Sequence, residues 1–326
     1  MIDLHLHLDG SLPPKLILKL AEMEGVSLPA QDAEGLIPYL TAPRDCQSLN
    51  EYLEKFDLPV SCMQSRETIA AAAEGMIQEL SAEGLLYAEL RFAPQQHTKK
   101  GLNQRQVIQA AVEGMEEACS RTGFQAGLIL CCMRGEENLE ENLETVRLAS
   151  EFLGHGVCAV DLAGAEAVFP TRNFGRLFSL ARELSVPYTI HAGEADGPES
   201  IRAALSFGAR RLGHGVRCVE DPRLVEQLKK EQITLEVCVI SNLQTKAVPA
   251  GTIHPILKLL REGLRVTVNT DNMTVSGTTV AGEFAYLKSL GMTNEEKRRC
   301  LYNSAEAAFL PEEKKEALKR EIDRRL

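Results

Sequence analysis

Apolar and polar residues alternate from the start of the chain, with Ile2, Leu4, Leu6 and Leu8 on one face and Asp3, His5, His7 and Asp9 on the other. Period-two alternation predicts a strand over 2–10 with both imidazoles on one side, one pleat apart. Helical spacing takes over at Leu16, Leu20 and Met23. A helix is therefore expected over 13–24, with Ser11 as its cap and Gly25 as its stop. Pro29, Gly35, Pro38 and Pro43 break any period over 26–47, which reads as an irregular insertion. Leu49, Tyr52, Leu53 and Phe56 return to helical spacing, a stripe that ordinarily marks core. An alanine-rich helix is expected over 66–83, ended by Gly84.

From Leu85 the pattern becomes regular. Strands are predicted at 85–92, 124–131, 159–162, 187–191, 211–213, 234–237 and 265–269. Helices are predicted between them at 104–121, 139–152, 173–184, 199–207, 222–232 and 255–262. With the first strand this makes eight, alternating with helices in the order of an α/β fold, a parallel (β/α)8 TIM-type barrel. An open doubly wound sheet is the alternative, but eight strands favour closure. Extra helices follow the first strand, and the charged tail over 294–326 is expected to be helical and to pack outside the barrel. No linker, internal repeat or low-complexity stretch divides the chain, so residues 1–326 read as one domain.

Composition narrows the class. The 326 residues are 44% hydrophobic and 25% charged, enough for a sizeable core under an ordinary polar surface. A net charge of −10 with no basic stripe argues against nucleic acid as a partner. No apolar run approaches the roughly 18 residues of a membrane span, and charge interrupts the N-terminus too early for a signal peptide. Nine cysteines without a Cys-x-x-Cys pair suit neither a disulfide framework nor a cysteine zinc site, and a reducing cytoplasm is the expected location. The oligomeric state stays open.

In a parallel barrel, chemistry collects at the C-terminal ends of the strands. Those ends carry His5 and His7, His191-Ala192-Gly193-Glu194, Gly213-His214-Gly215, and Asn269-Thr270-Asp271-Asn272. A lone histidine at a strand end is usually a satisfied polar residue, and Thr-Asp-Asn is a fair helix cap. Four of the seven histidines on ends that face one mouth point to chemistry instead. His5, His7, His191 and Asp271 offer three nitrogens and one oxygen, a donor set that suits one zinc ion with a position left for water. Glu194 and His214 remain for the proton transfers of a hydrolysis.

These motifs carry a resemblance. The chain is similar to the adenosine deaminase family of the amidohydrolase superfamily almost from end to end. The likeness runs through His5-Leu6-His7-Leu8-Asp9-Gly10-Ser11, Phe56-Asp57, Leu90-Arg91-Phe92-Ala93-Pro94, Asp161-Leu162-Ala163-Gly164, the three strand-end motifs, and Phe309-Leu310-Pro311. It implies zinc-dependent hydrolytic deamination of adenosine and 2′-deoxyadenosine. His5, His7, His191 and Asp271 would hold the metal, and Glu194 would share a proton with purine N1. His214 would orient the attacking water as base or electrostatic stabiliser, with Asp271 assisting. The Gly164 N–H would donate to N3, Asp9 would accept from a sugar hydroxyl, and Leu49, Tyr52, Leu53 and Phe56 would gate the pocket.

Two departures matter. Many members of the family carry a second aspartate after the metal-binding one, donating to purine N7; Asn272 stands here, and its amide can donate without a raised pKa. Ala93 stands where some relatives have serine. The cytidine-deaminase signature is absent, which excludes that other zinc chemistry. A sister deaminase acting on adenine or another 6-aminopurine is the alternative, and an inactive zinc-binding barrel a more distant one. Asp9 favours a nucleoside, since adenine deaminases tend to carry glutamate at that point.

Overall fold

The computed structural model describes residues 1–43 and 46–325. Its strands are β1 (Ile2–His7), β2 (Tyr87–Phe92), β3 (Gln125–Met133), β4 (Val157–Ala163), β5 (Ile190–Ala192), β6 (Arg211–His214), β7 (Thr234–Val237) and β8 (Arg265–Val268). All pair in parallel, β1 through β4 in one run and β5 through β8 in another. The runs meet at both seams. Thr189 N–H donates to Val160 O (3.1 Å) and Val160 N–H to Pro187 O (3.0 Å), joining β4 to the segment before β5. His7 N–H donates to Asp271 O (2.7 Å) and Asp271 N–H to His5 O (2.8 Å), joining β1 to the segment after β8. The sheet closes into the expected barrel, and its second seam consists of backbone bonds among three candidate metal ligands.

Parallel strands covered by helices are buried on both faces. Every residue of β2 is buried, and so are Asp3 and His5 of β1. The alternation in β1 therefore separates the barrel lumen from the helix-covered face, not core from water. Low in the lumen, Arg211 pairs with Glu236 (2.6 Å) and Glu89 (2.7 Å) and lies over the Phe309 ring at 4.0 Å. Phe309 N–H also donates to Glu89 (2.6 Å), so the late aromatic motif is tied to this lumen network.

Local differences from expectation have local causes. β1 stops at His7, and residues Leu8–Ser11 form a helical turn that lifts Asp9 and Gly10 out of the strand. Ser11 does not cap the next helix, Pro14–Glu24, which begins on Pro13 and Pro14 without a side-chain cap. Proline is suited to a first turn because the N–H it lacks would have no partner there. Ser11 Oγ instead accepts from Met273 N–H (3.0 Å), while Gly25 ends the helix at φ +72° as expected.

The supposedly irregular 26–47 contains a helix at Ala33–Leu40, started by Asp32 accepting from Gly35 N–H (2.7 Å) despite Pro38. Positions 44 and 45 of that stretch, and Leu326 of the tail, lie outside the described residues. The stripe over 49–56 is a helix at Leu49–Leu53 followed by a tighter turn at Glu54–Phe56. Helices at Val239–Gln244 and Val280–Ser289 were not expected, and the tail forms two, Asn294–Ala307 and Glu312–Arg325. No helix among the described residues is long and apolar enough to cross a membrane.

Candidate active site

Four donor groups converge where β1, β5 and β8 end. His7 Nε2 lies 3.3 Å from His191 Nε2, and Asp271 Oδ1 lies 3.4 Å from His5 Nε2 and 3.5 Å from His7 Nε2. Tetrahedral ligands bound at zinc–nitrogen distances stand about 3.3–3.4 Å from one another, so the spacing fits one such ion. The buried His5 Nε2 makes no hydrogen bond, which is costly unless a cation accepts its lone pair. Gly213 makes the crowding possible: a Cβ there would sit 3.0 Å from His5 Cε1 and 3.1 Å from His191 Cα.

Partners invisible in the motifs orient these candidate ligands. His5 Nδ1 lies 2.8 Å from Glu236, and His191 Nδ1 lies 2.8 Å from Asp161. Ser241 Oγ donates to Asp271 Oδ2 (2.6 Å), leaving Oδ1 facing the imidazoles. One guanidinium spans both carboxylates, with Arg91 2.8 Å from Asp161, 2.8 Å from Glu236 and 2.6 Å from Leu4 O. Acceptors behind ligating histidines set the tautomer and raise ligand basicity.

The electrostatics of His7, His191 and Asp271 agree with metal binding, which requires neutral imidazoles and ionised carboxylates. Burial, with neighbouring imidazoles, holds His7 and His191 below the ordinary histidine value. Burial and the Arg91 charge act the same way on His5, but the facing carboxylates of Asp271 and Glu236 more than offset them and raise it. Burial would raise Asp271 and Asp161, yet the surrounding histidines, with Arg91 at Asp161, keep both well below the carboxylate range.

Glu194 is driven the other way. Burial, then the charges of Asp271 and Glu166, push its carboxyl well above the ordinary glutamate value, which favours its protonated form. His214 Nε2 lies 3.6 Å away, and burial with the other imidazoles keeps that ring neutral. His214 Nδ1 faces the Asn242 amide at 2.9 Å, and the buried Asn242 Oδ1 has no partner. Turning that amide would let Oδ1 accept from Nδ1–H and leave Nε2 as a free base. His214 (φ +59°) and Asp271 (φ +62°) both hold left-handed backbone, a cost that non-glycine residues carry mainly at functional sites.

Above the donors lies a cavity of about 500 Å³, suited to a small molecule. Asp9, Leu49, Tyr52, Leu53, Phe56, Gly164, Glu194, His214, Asp271 and Asn272 all line it, while His5 sits beneath. Gln95, Lys99, Cys131 and Met133 line it without having been marked by the sequence. Burial raises the Asp9 carboxyl to about 7. Gly164 has φ +105°, a conformation L side chains rarely adopt, which is the stronger reason for glycine here. Tyr52 anchors the covering helix by a 2.6 Å bond to Ser276, and Phe56 stands edge-on to His7 at 6.3 Å between centroids.

A closed parallel barrel whose mouth gathers three imidazoles, a carboxylate and a second, deeply buried carboxyl has the architecture of metal-dependent hydrolases. Comparison with known proteins narrows this. The adenosine deaminase family model matches residues 1–325. An adenosine deaminase of Haemophilus ducreyi is 46% identical, over 100% of this chain and 96% of that protein. Among solved structures, adenine deaminase from Arthrobacter aurescens superposes with TM-score 0.88 at 29% identity, covering 99% of this chain and 98% of its own. A Burkholderia amidohydrolase solved with bound zinc shares the fold (TM-score 0.87, 20% identity, 99% and 90% coverage). The chain belongs to the adenosine deaminase family.

Proposed function

We propose that this enzyme hydrolyses the 6-amino group of adenosine and 2′-deoxyadenosine, giving inosine or 2′-deoxyinosine and ammonia. The observation that carries the reading is the juxtaposition of a 3.3–3.5 Å donor cluster with the buried Glu194 carboxyl, both lining one cavity. His5, His7, His191 and Asp271 would hold one zinc per chain. When bound, zinc supplies a water that loses its proton near neutrality.

The chain's own residues do the rest. Glu194 donates to purine N1 as C6 is attacked, drawing electrons into the ring where it is needed most, in the transition state. His214 orients the attacking water and takes its proton, a task open to Nε2 when Asn242 accepts from Nδ1. Asp271 assists through the same water. The Gly164 N–H meets N3, Asn272 donates to N7, and Asp9 accepts from the sugar hydroxyl. Leu49, Tyr52, Leu53 and Phe56 cover the substrate and exclude bulk water.

We read residues 1–326 as a single unit, since one apolar cluster includes Ile2 and Ile322. Nine free cysteines suit a cytoplasmic location. Adenine is the second reading, favoured by the Arthrobacter likeness. Asp9 argues against it, because a free base has no hydroxyl to meet the buried Asp9 oxygen that Gly10 N–H does not occupy. A panel of 6-aminopurines watched for ammonia release tests the proposal. Adenosine should exceed adenine by orders of magnitude in kcat/KM, and comparable values would move the assignment to a base deaminase. His191→Ala should lose zinc and turnover together; a zinc-loaded, active variant would refute the ligand set.

A further inference from the structure

Glu194 stands on the loop between β5 and the helix Pro198–Ser206, and a loop residue acts as a catalytic acid only if something holds it. Glu166, buried on the loop after β4, reaches across to that segment. Its Oε1 accepts from Gly193 N–H at 2.6 Å. Its Oε2 accepts from Glu194 N–H (2.9 Å), Ala195 N–H (2.7 Å) and Asp196 N–H (3.0 Å). Ser200 Oγ donates to the same carboxylate from the helix beyond. Four consecutive backbone donors thus converge on one charged group, where hydrogen bonds are strongest.

We propose that Glu166 is a positioning residue: it pins the turn that carries Glu194 and so fixes the acid against N1 of the bound purine. The inference rests on Glu194 being that acid. The loop that supplies Glu166 also supplies Gly164, two residues earlier, whose N–H is the proposed partner of N3. N1 and N3 belong to one rigid ring, and the two groups that meet them are joined through this carboxylate. The tie continues to the metal side. Ser200 Oγ is 2.7 Å from Thr171 Oγ1, which accepts from Arg134 (3.0 Å), and Arg134 donates to His191 O (2.5 Å). Neutral side chains at 166 cannot gather these donors equally well, and a shift of about 1 Å at a reacting group costs about 10²-fold in rate.

The test compares zinc-loaded Glu166→Ala, Glu166→Gln and Glu194→Gln with the parent on adenosine. Glu166→Ala should keep stoichiometric zinc and a KM within about fivefold while kcat falls about 10²-fold, the mark of an interaction made in the transition state. Amide hydrogen exchange at 193–196 should quicken. Glu166→Gln, which keeps one accepting oxygen, should recover part of kcat, and it carries the test if the alanine variant does not fold. A folded, zinc-loaded Glu166 variant with kcat within about threefold of the parent, or with parent-like protection at 193–196, overturns the proposal. So does a kcat loss matched by lost zinc. If Glu194→Gln itself keeps parental kcat, the acid assignment fails and the positioning role with it; if only the Glu166 variants keep it, the acid assignment stands.

Discussion

Asp161→Asn isolates what an outer partner contributes to the proposed zinc site. Asp161 Oδ2 lies 2.8 Å from both His191 Nδ1 and Arg91 Nη1, and Oδ1 accepts from Leu162 N–H at 2.7 Å. Asparagine keeps the shape and the Leu162 bond but brings a neutral amide to a site shared by two donors. Arg91 is not orphaned, because Glu236 and Leu4 O still hold it at 2.8 Å and 2.6 Å. The destabilisation should therefore fall below the ~3–5 kcal/mol that follows when a buried charge loses its only partner. His191 has no such reserve. Losing the acceptor behind a ligating histidine weakens metal affinity about 10–100-fold, or about 1.4–2.7 kcal/mol. Chelator competition for zinc measures this directly, with thermal unfolding of the apoprotein as the control for folding. Glu236→Gln is the contrast. Glu236 serves His5, Arg91, Arg211 and Thr189 together, so its loss should cost more stability than Asp161→Asn. A folded Asp161→Asn protein whose zinc affinity lies within about twofold of the parent would refute the reasoning.

Three further outcomes are expected. Glu194→Gln should retain zinc and bind substrate within about tenfold while kcat falls by ~10²–10⁴; steady-state kinetics and zinc content decide, and an undiminished kcat would remove Glu194 from the mechanism. Gly10→Ala would place a Cβ 1.9 Å from Asn272 Oδ1 and 2.9 Å from the Phe56 ring. With the Asn272 amide displaced, kcat/KM should drop about tenfold at constant zinc content, the worth of one hydrogen bond, and an unchanged value would separate Asn272 from recognition. Glu24 feels burial, which raises its carboxyl, but Lys100, Thr68 and Ser65 outweigh it and hold the value at about 2 against an ordinary 4.5. A lowered folded pKa contributes stability that is complete above the unfolded value and disappears as pH falls toward about 2. Glu24→Gln should cost about 1–3 kcal/mol at neutral pH, discounted because Lys100 is half exposed, and the deficit should close in acid. Denaturant titrations giving the same deficit at neutral pH and near pH 2 would contradict that linkage.

What local pattern can encode, the chain displays openly. Alternation and helical spacing depend on neighbours a few positions apart, so the eight strands and most intervening helices lie within a few residues of their predicted places. The candidate donors were legible because His5-Leu6-His7 shares one strand face and the others end strands of the same barrel. The misreadings were local too. Pro38 looked like a breaker, yet the Asp32–Gly35 cap starts a helix through it. Pro13 and Pro14 supplied the start that Ser11 was expected to give.

The rest depended on groups that meet only after the barrel closes. Glu236 stands 231 positions from His5, and no motif links them. Glu166 reads as an ordinary loop glutamate until four backbone N–H groups of the β5 loop converge on it. The six-residue helix Val239–Gln244 is too short for a period, and Glu283, 44 positions from Val239, caps its start. That helix delivers Ser241 to Asp271 and Asn242 to His214. The left-handed backbone at His214 and Asp271 also follows from placement at strand ends, not from residue type. Sequence alone determined the strand rhythm and the chemical types at the mouth, because side-chain period and donor chemistry are local properties. Tertiary structure decided in which direction each group's proton affinity shifts, because burial and distant charge set each proton's free energy and neither exists before the seams close.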